Sequence, residues 1–192
     1  WFASKQKYSE MLFEDIKIRK LLMVKLKPAG ISSVEIERSI NKLKVIIFVA
    51  RPGVLIGRGG TGLTELKKFL MQKLTVKQEN ALEIVPREIK SADLSAYLVA
   101  QSVAEQLIRR LPAQRVINQT LERVMKAGAK GVKVLLAGRI GGAEIARKEG
   151  KYRGTLPLHT IRNDIDFATY PALTKSGYVG VKIWINKGEF EG

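Results

Sequence analysis

The run ARPGVLIGRGGTGLTELKKFL, residues 50–70, constrains the fold more than any other stretch. It holds five glycines between Gly53 and Gly62. It then becomes an amphipathic helix, with Leu63, Leu66, Phe69, Leu70 and Leu74 on one face. Two patterns overlap in it. Gly57, Gly59 and Gly62 spell G-x-G-x-x-G, while Gly57 and Gly60 spell G-x-x-G. The first is a dinucleotide fingerprint only where the glycines follow a strand directly and the next strand ends on an acid that holds the ribose. Here Arg51 to Ile56 separate the strand-like VIIFVA from Gly57, and the next strand-like run, ALEIVP, ends on valine and proline. The context excludes a dinucleotide site. No Gly-Lys-Ser or Gly-Lys-Thr follows, which also excludes the NTPase phosphate loop.

The charge points elsewhere. The 192 residues carry 34 Lys and Arg against 18 Asp and Glu, net +16. Such an excess is a sensible surface opposite a polyanion. Residues 126–162 concentrate it, with nine basic and two acidic side chains. There is no cysteine, which excludes a disulfide scaffold, a zinc ribbon and a thiol nucleophile. The longest apolar run, Val45 to Ala50, is strand-sized and far short of a membrane span.

Periodicity divides the chain. Residues 5–27 read as a helix, with Met11, Leu12, Ile16, Ile18, Leu22 and Leu26 at spacings of three and four. Pro28 and Gly30 end it. SSVEIERSI alternates, and KLKVIIFVA follows as the second strand of a hairpin. GVLI is a short helical turn, residues 60–74 a helix, and ALEIVP a third strand that stops at Pro86. Beyond PREIKSAD, residues 92–110 and 112–127 read as helices, and four strands follow. The expectation is two domains, 1–90 and 91–192. The fold class is mixed α/β (α+β), the second domain having the order α-α-β-β-β-β.

A G-x-x-G turn between two short helices, in this element order, is the mark of a type II KH domain. That loop clamps the backbone of about four nucleotides. Glycines let main-chain N–H groups reach phosphate, and the following helix adds its positive end. On this reading Gly57, Arg58, Gly59 and Gly60 form the loop, with Arg51, Lys67 and Lys68 close by, and Gly62 is only the first turn of the next helix.

ARPGVLIGRGG, GAKGVKVLLAGRIGGAEIARKE and YRGTLPLHTIRNDIDFATYPALTKSGYVGVKIWINKGE together resemble the ribosomal protein S three family of the small subunit, bacterial type. The resemblance runs from Trp1 to the end. It implies a type II KH domain followed by a family-specific C-terminal domain. It also implies binding of small-subunit rRNA in the lower head and a place near where mRNA enters. The neighbours it implies are proteins S ten and S fourteen, and the setting a cytoplasmic ribosome; an organellar ribosome fits the sequence as well. Carried over, the rRNA contacts fall on the C-terminal basic run: Lys126, Lys130, Lys133, Arg139, Arg147, Lys148, Lys151, Arg153 and Arg162. Gly141 and Gly142 permit close backbone approach there. The mRNA side falls on Arg109, Arg110, Arg115 and Arg123. One departure stands out. Two positions where relatives carry mRNA-gripping cations are Gln114 and Asn118 here.

Other constellations carry less. His159 has no second histidine or cysteine with which to hold a metal, so no metal site is expected, nor any cofactor or enzymatic activity. His159 is expected to pack structurally, with Asp164 and Asp166 offsetting Arg162. Trp184, Tyr178 and Phe190 alternate and favour core or protein contacts over base stacking. The basic face of the first helix (Lys5, Lys7, Lys17, Arg19, Lys20, Lys25) suits rRNA. A membrane role is set aside because the helix's apolar face is needed against a sheet. The alternative function is a free KH-type regulator binding mRNA away from the ribosome.

Overall fold

The computed structural model describes residue 3 and residues 5–39, 42–73 and 82–189. The expectations placed on Ile40, Leu74, Ala81 and Phe190 lie outside the described residues. The chain forms two compact units, Trp1–Lys90 and Ser91–Gly192.

The first unit opens on α1 (Lys5–Lys25), followed by β1 (Ile31–Arg38) and β2 (Leu43–Val49), which pair antiparallel. Next come α2 (Pro52–Ile56), a 3-10 turn at Arg58–Gly60, and α3 (Thr61–Lys73). β3 (Leu82–Glu88) then returns parallel to β2. The order β1-β2-β3 puts β2 in the centre. That is why β2 reads as a near-continuous apolar run, with Val45, Ile46, Ile47 and Val49 all buried. Pro52 opens α2 where a missing N–H costs nothing. Helices and sheet share a core of Ile18, Leu22, Val45, Ile47, Leu55, Leu66 and Leu70.

Two local expectations need correction. β3 does not stop at Pro86 but runs on to Glu88. It is an edge strand, so the missing N–H of Pro86 faces no partner strand. On α1, the expected apolar face is only partly buried. Ile18 and Leu22 are buried, whereas Leu12 and Ile16 are exposed. The inward face instead includes Asp15, only 4% exposed. Arg38 of β1 makes this possible. Its Nη2 and Nε donate to Asp15 Oδ1 at 2.6 and 2.9 Å, and its Nη2 also reaches Glu14 Oε2 at 3.1 Å. A buried carboxylate is tolerated only when paired in this way.

The second unit begins with a 3-10 turn, Ala92–Leu94, so α4 spans Ala96–Ile108 and starts four residues later than its periodicity implies. α5 spans Ala113–Lys126. Four strands follow: β4 (Gly131–Gly138), β5 (Arg147–Gly154), β6 (Asn163–Thr174) and β7 (Gly177–Glu189). They form an antiparallel sheet in the order β5-β4-β7-β6. Both helices cover one face, burying Val103, Ile117 and Val124 against Val134, Leu136, Val181 and Ile183. Tyr97 of α4 meets Tyr170 of β6 edge-on, with ring centroids 5.9 Å apart. Burial, and then the neighbouring Tyr170 phenol, raises the Tyr97 hydroxyl above its ordinary pKa.

Asp166 does not offset Arg162. Its Oδ2 accepts the Ala96 N–H at 3.0 Å, satisfying the first turn of α4 from a strand 70 residues away, and lies 3.4 Å from Lys187 Nζ. His159 is exposed rather than packed.

Candidate nucleic-acid interface

In the glycine loop, Gly57, Gly59 and Gly60 all take positive φ, at 69°, 61° and 79°. Their roles differ. A Cβ on Gly59 or Gly60 would meet nothing within 4 Å, so the backbone there is open to an incoming group. A Cβ on Gly62 would lie 2.6 Å from Leu55 O and 3.0 Å from Ile56 O. Gly62 is therefore more than a first helical turn: it lets α3 start against the carbonyls that end α2. Two substitutions separate these roles. Gly62→Ala is expected to cost the first unit about 1–3 kcal/mol through overpacking, seen as a lower melting temperature. Gly59→Asp suits aspartate's tolerance of positive φ and leaves melting unchanged, yet sets a carboxylate where phosphate would lie. It is expected to weaken RNA binding in a filter-binding titration. An equal loss of melting temperature in both would refute the distinction.

Arg51 is exposed at the start of α2. The side chain of Arg58 lies outside the described part of the structure. Lys67 is half-buried and lines a shallow groove with Leu63, Thr64, Leu82, Glu83 and Ile84. The groove lies between α3 and the edge strand β3, and its floor is apolar beneath one cation.

Strand alternation sorts the C-terminal basic run. In β5, Arg147, Lys151 and Arg153 register with Gly138, Val134 and Val132, on the side of the sheet that α5 covers. Lys148 and Tyr152 register with Ala137 and Lys133 on the helix-free face. All five are exposed. Lys126 at the end of α5, Lys130 just before β4 and Arg162 before β6 are exposed too. The run is therefore one basic edge strand with outliers rather than one patch. On the helix-free face Lys133 Nζ sits 5.4 Å from the Trp184 ring centroid, and Trp184 lies 5.0 Å from Phe167. Lys148 and Lys182 share this face. Tyr178 is 68% exposed, so it is not a core residue.

The α4–α5 cations divide. Arg109, Arg110 and Arg115 are exposed, and Arg110 has φ 63°, a left-handed conformation for a non-glycine residue. Arg123 turns inward. Its guanidinium donates to Ser102 Oγ at 3.4 Å, and its Nε lies 3.0 Å from Asp93 Oδ1, an ion pair without hydrogen-bond alignment. It ties α5 to α4 and to the turn before it. Gln114 Nε2 donates to Glu149 Oε2 at 2.9 Å, and Lys151 Nζ donates to Asn118 Oδ1 at 3.0 Å. Gln114 and Asn118 thus hold α5 to β5.

Arg139 is fixed by main chain: its Nε donates to Ala143 O at 2.8 Å and its Nη1 to Ser176 O at 3.3 Å. It shares a cavity with Arg110 and with Lys175, a cation that sequence reasoning passed over. The only local signal for Lys175 is its place in the TKSG turn between β6 and β7.

A G-x-x-G loop on a three-stranded sheet, joined to a helix-backed basic sheet, defines a KH-containing RNA-binding class. Family comparison agrees: residues 17–94 match the KH domain, and residues 103–185 match "Ribosomal protein S3, C-terminal domain". The chain is 50% identical over 189 residues to small ribosomal subunit protein uS3 of Desulfitobacterium hafniense, covering 98% of this chain and 84% of that protein. It is 49% identical to the uS3 of Bacillus cytotoxicus over the same shares. With the uS3 of Finegoldia magna the identity is 50%, covering 98% of this chain and 76% of that protein. The chain belongs to the uS3 family of small ribosomal subunit proteins.

Proposed function

We propose that this protein is a structural constituent of the small ribosomal subunit that binds rRNA in the lower head and helps position mRNA where it enters. The carrying observation is the edge strand β5. It exposes Arg147, Lys148, Lys151 and Arg153 with a single carboxylate, Glu149, which Gln114 already engages. Cations without nearby acids bind phosphate and release its counterions. The KH loop adds a second, smaller contact, and residues 126–162 make more rRNA contacts than the loop does. Proteins S ten and S fourteen are the proposed neighbours, the cytoplasm is the proposed location, and no enzymatic step is assigned. Co-sedimentation tests the reading: the protein stays with small subunits at high salt. Loss from the particle with general RNA binding intact would favour a free KH-type regulator.

Gln114 and Asn118 set a finer expectation for mRNA. Two neutral residues where relatives carry cations remove about two phosphate contacts. Ribosomes carrying this protein are therefore expected to unwind mRNA structure more weakly. The Gln114→Arg, Asn118→Lys variant restores the charges. Arginine at 114 keeps a partner in Glu149, while lysine at 118 faces Lys151 and gains from a bridging phosphate. An unwinding assay on reconstituted ribosomes is expected to favour the variant; no difference would reject the idea.

A further inference from the structure

Three segments of the second unit converge on a cavity of about 360 Å³: the α4–α5 turn, the loop after β4 and the β6–β7 turn. Sites of this size admit a small organic group. Its wall carries Arg110, Arg139 and Lys175 and no carboxylate. Among the described residues, none of the three has an ion-pair partner. Its floor is apolar, with Leu107, Leu111 and Ile140. Arg139 is held by two carbonyls, which leaves its charge uncancelled and its position set before any ligand arrives. We propose that this cavity binds one nucleoside phosphate unit, supplied by an unstacked RNA nucleotide. The base lies on the apolar floor and the phosphate meets the three cations.

The two halves of the site answer the two halves of the ligand. A base presents a flat apolar face, which stacks or packs without sequence demand. The phosphate demands positive charge, and phosphate contacts set register. An acidic peptide side chain would use the cations and leave the floor uncovered. The inference rests on the RNA-binding reading above and names a place for it.

The test uses the full chain and labelled single-stranded hexa-adenylate, beside an abasic strand with the same phosphates and free adenosine monophosphate. Arg110→Gly is the first variant, because a φ of 63° suits glycine and the fold loses nothing while the cation goes. Lys175→Gln and Leu111→Ser are the others, at exposed positions. Wild type is expected to prefer the base-bearing strand about tenfold over the abasic one. Leu111→Ser removes that preference. Arg110→Gly and Lys175→Gln each weaken binding about fivefold or more. Amide resonances of Gly141, Gly142 and Ser176 shift on adding the strand. Unchanged affinities in the variants, with those amides still, would overturn the inference while leaving RNA binding standing. Equal binding of abasic and base-bearing strands overturns the base site. Free adenosine monophosphate binding as tightly as the strand assigns the cavity to a free nucleotide instead, and hexaglutamate competing as well as RNA assigns it to an acidic protein segment. No binding of any strand by wild type brings down the RNA reading itself.

Discussion

Arg38→Met is expected to destabilise the N-terminal unit by about 3–5 kcal/mol, the cost of leaving a buried charge without its partner. Asp15 is 4% exposed, and Arg38 supplies two short hydrogen bonds to its Oδ1. Glu14 loses the same partner and adds repulsion at one end of the site. The loss is a large share of the roughly 5–15 kcal/mol that holds a typical domain. Thermal melting is expected to show an early transition for residues 1–90, with the transition of residues 91–192 unmoved. The double variant Asp15→Leu, Arg38→Met removes both charges and is expected to recover most of the loss, because a packed apolar pair often matches a buried ion pair. A single Arg38→Met that melts like wild type would show that the pair contributes no net stability.

Removing charge from β5 has the largest expected effect on binding. Arg147→Gln, Lys148→Gln and Arg153→Gln together delete about three phosphate contacts, worth about 10²- to 10³-fold in affinity at ~0.1 M salt. The slope of log affinity against log salt is expected to fall by about three. All three side chains are exposed on an edge strand, so the fold is not at stake. The control removes the same charge from α1, through Lys7→Gln, Lys17→Gln and Lys20→Gln. If RNA responds only to net charge, both triple variants fall together and the edge-strand assignment is wrong. If β5 is the seat of binding, the α1 variant loses far less.

The same two regions show how far local pattern carries. The glycine loop, the helix after it and the central strand were legible because each rests on neighbours in sequence. Glycine frees φ at Gly57, Gly59 and Gly60, a spacing of three and four marks α3, and an unbroken apolar run marks β2. Mixed α/β architecture followed from the same signals, and so did the C-terminal order of two helices and four strands. The basic run was also visible, but as a line of charges. Alternation across paired strands then divided it between two faces, and that division needs the register of β4 with β5.

By itself the sequence determined what depends on a residue and its near neighbours: turns at positive φ, helix periods, the basic excess and the wrong context for a dinucleotide. Tertiary structure decided what depends on distant partners. Asp15 sits inward because Arg38 reaches it from β1, 23 residues on, although a charge on a helix ordinarily marks its solvated side. Asp166 serves α4 from 70 residues away. Pro86 lies within a strand because β3 is an edge. Arg123 is spent inside the second unit, while Arg110, Arg139 and Lys175 meet around one cavity from three separate segments. A side chain's charge is written in the sequence; whether that charge faces a carboxylate, a carbonyl or open solvent is set only when the chain has folded around it.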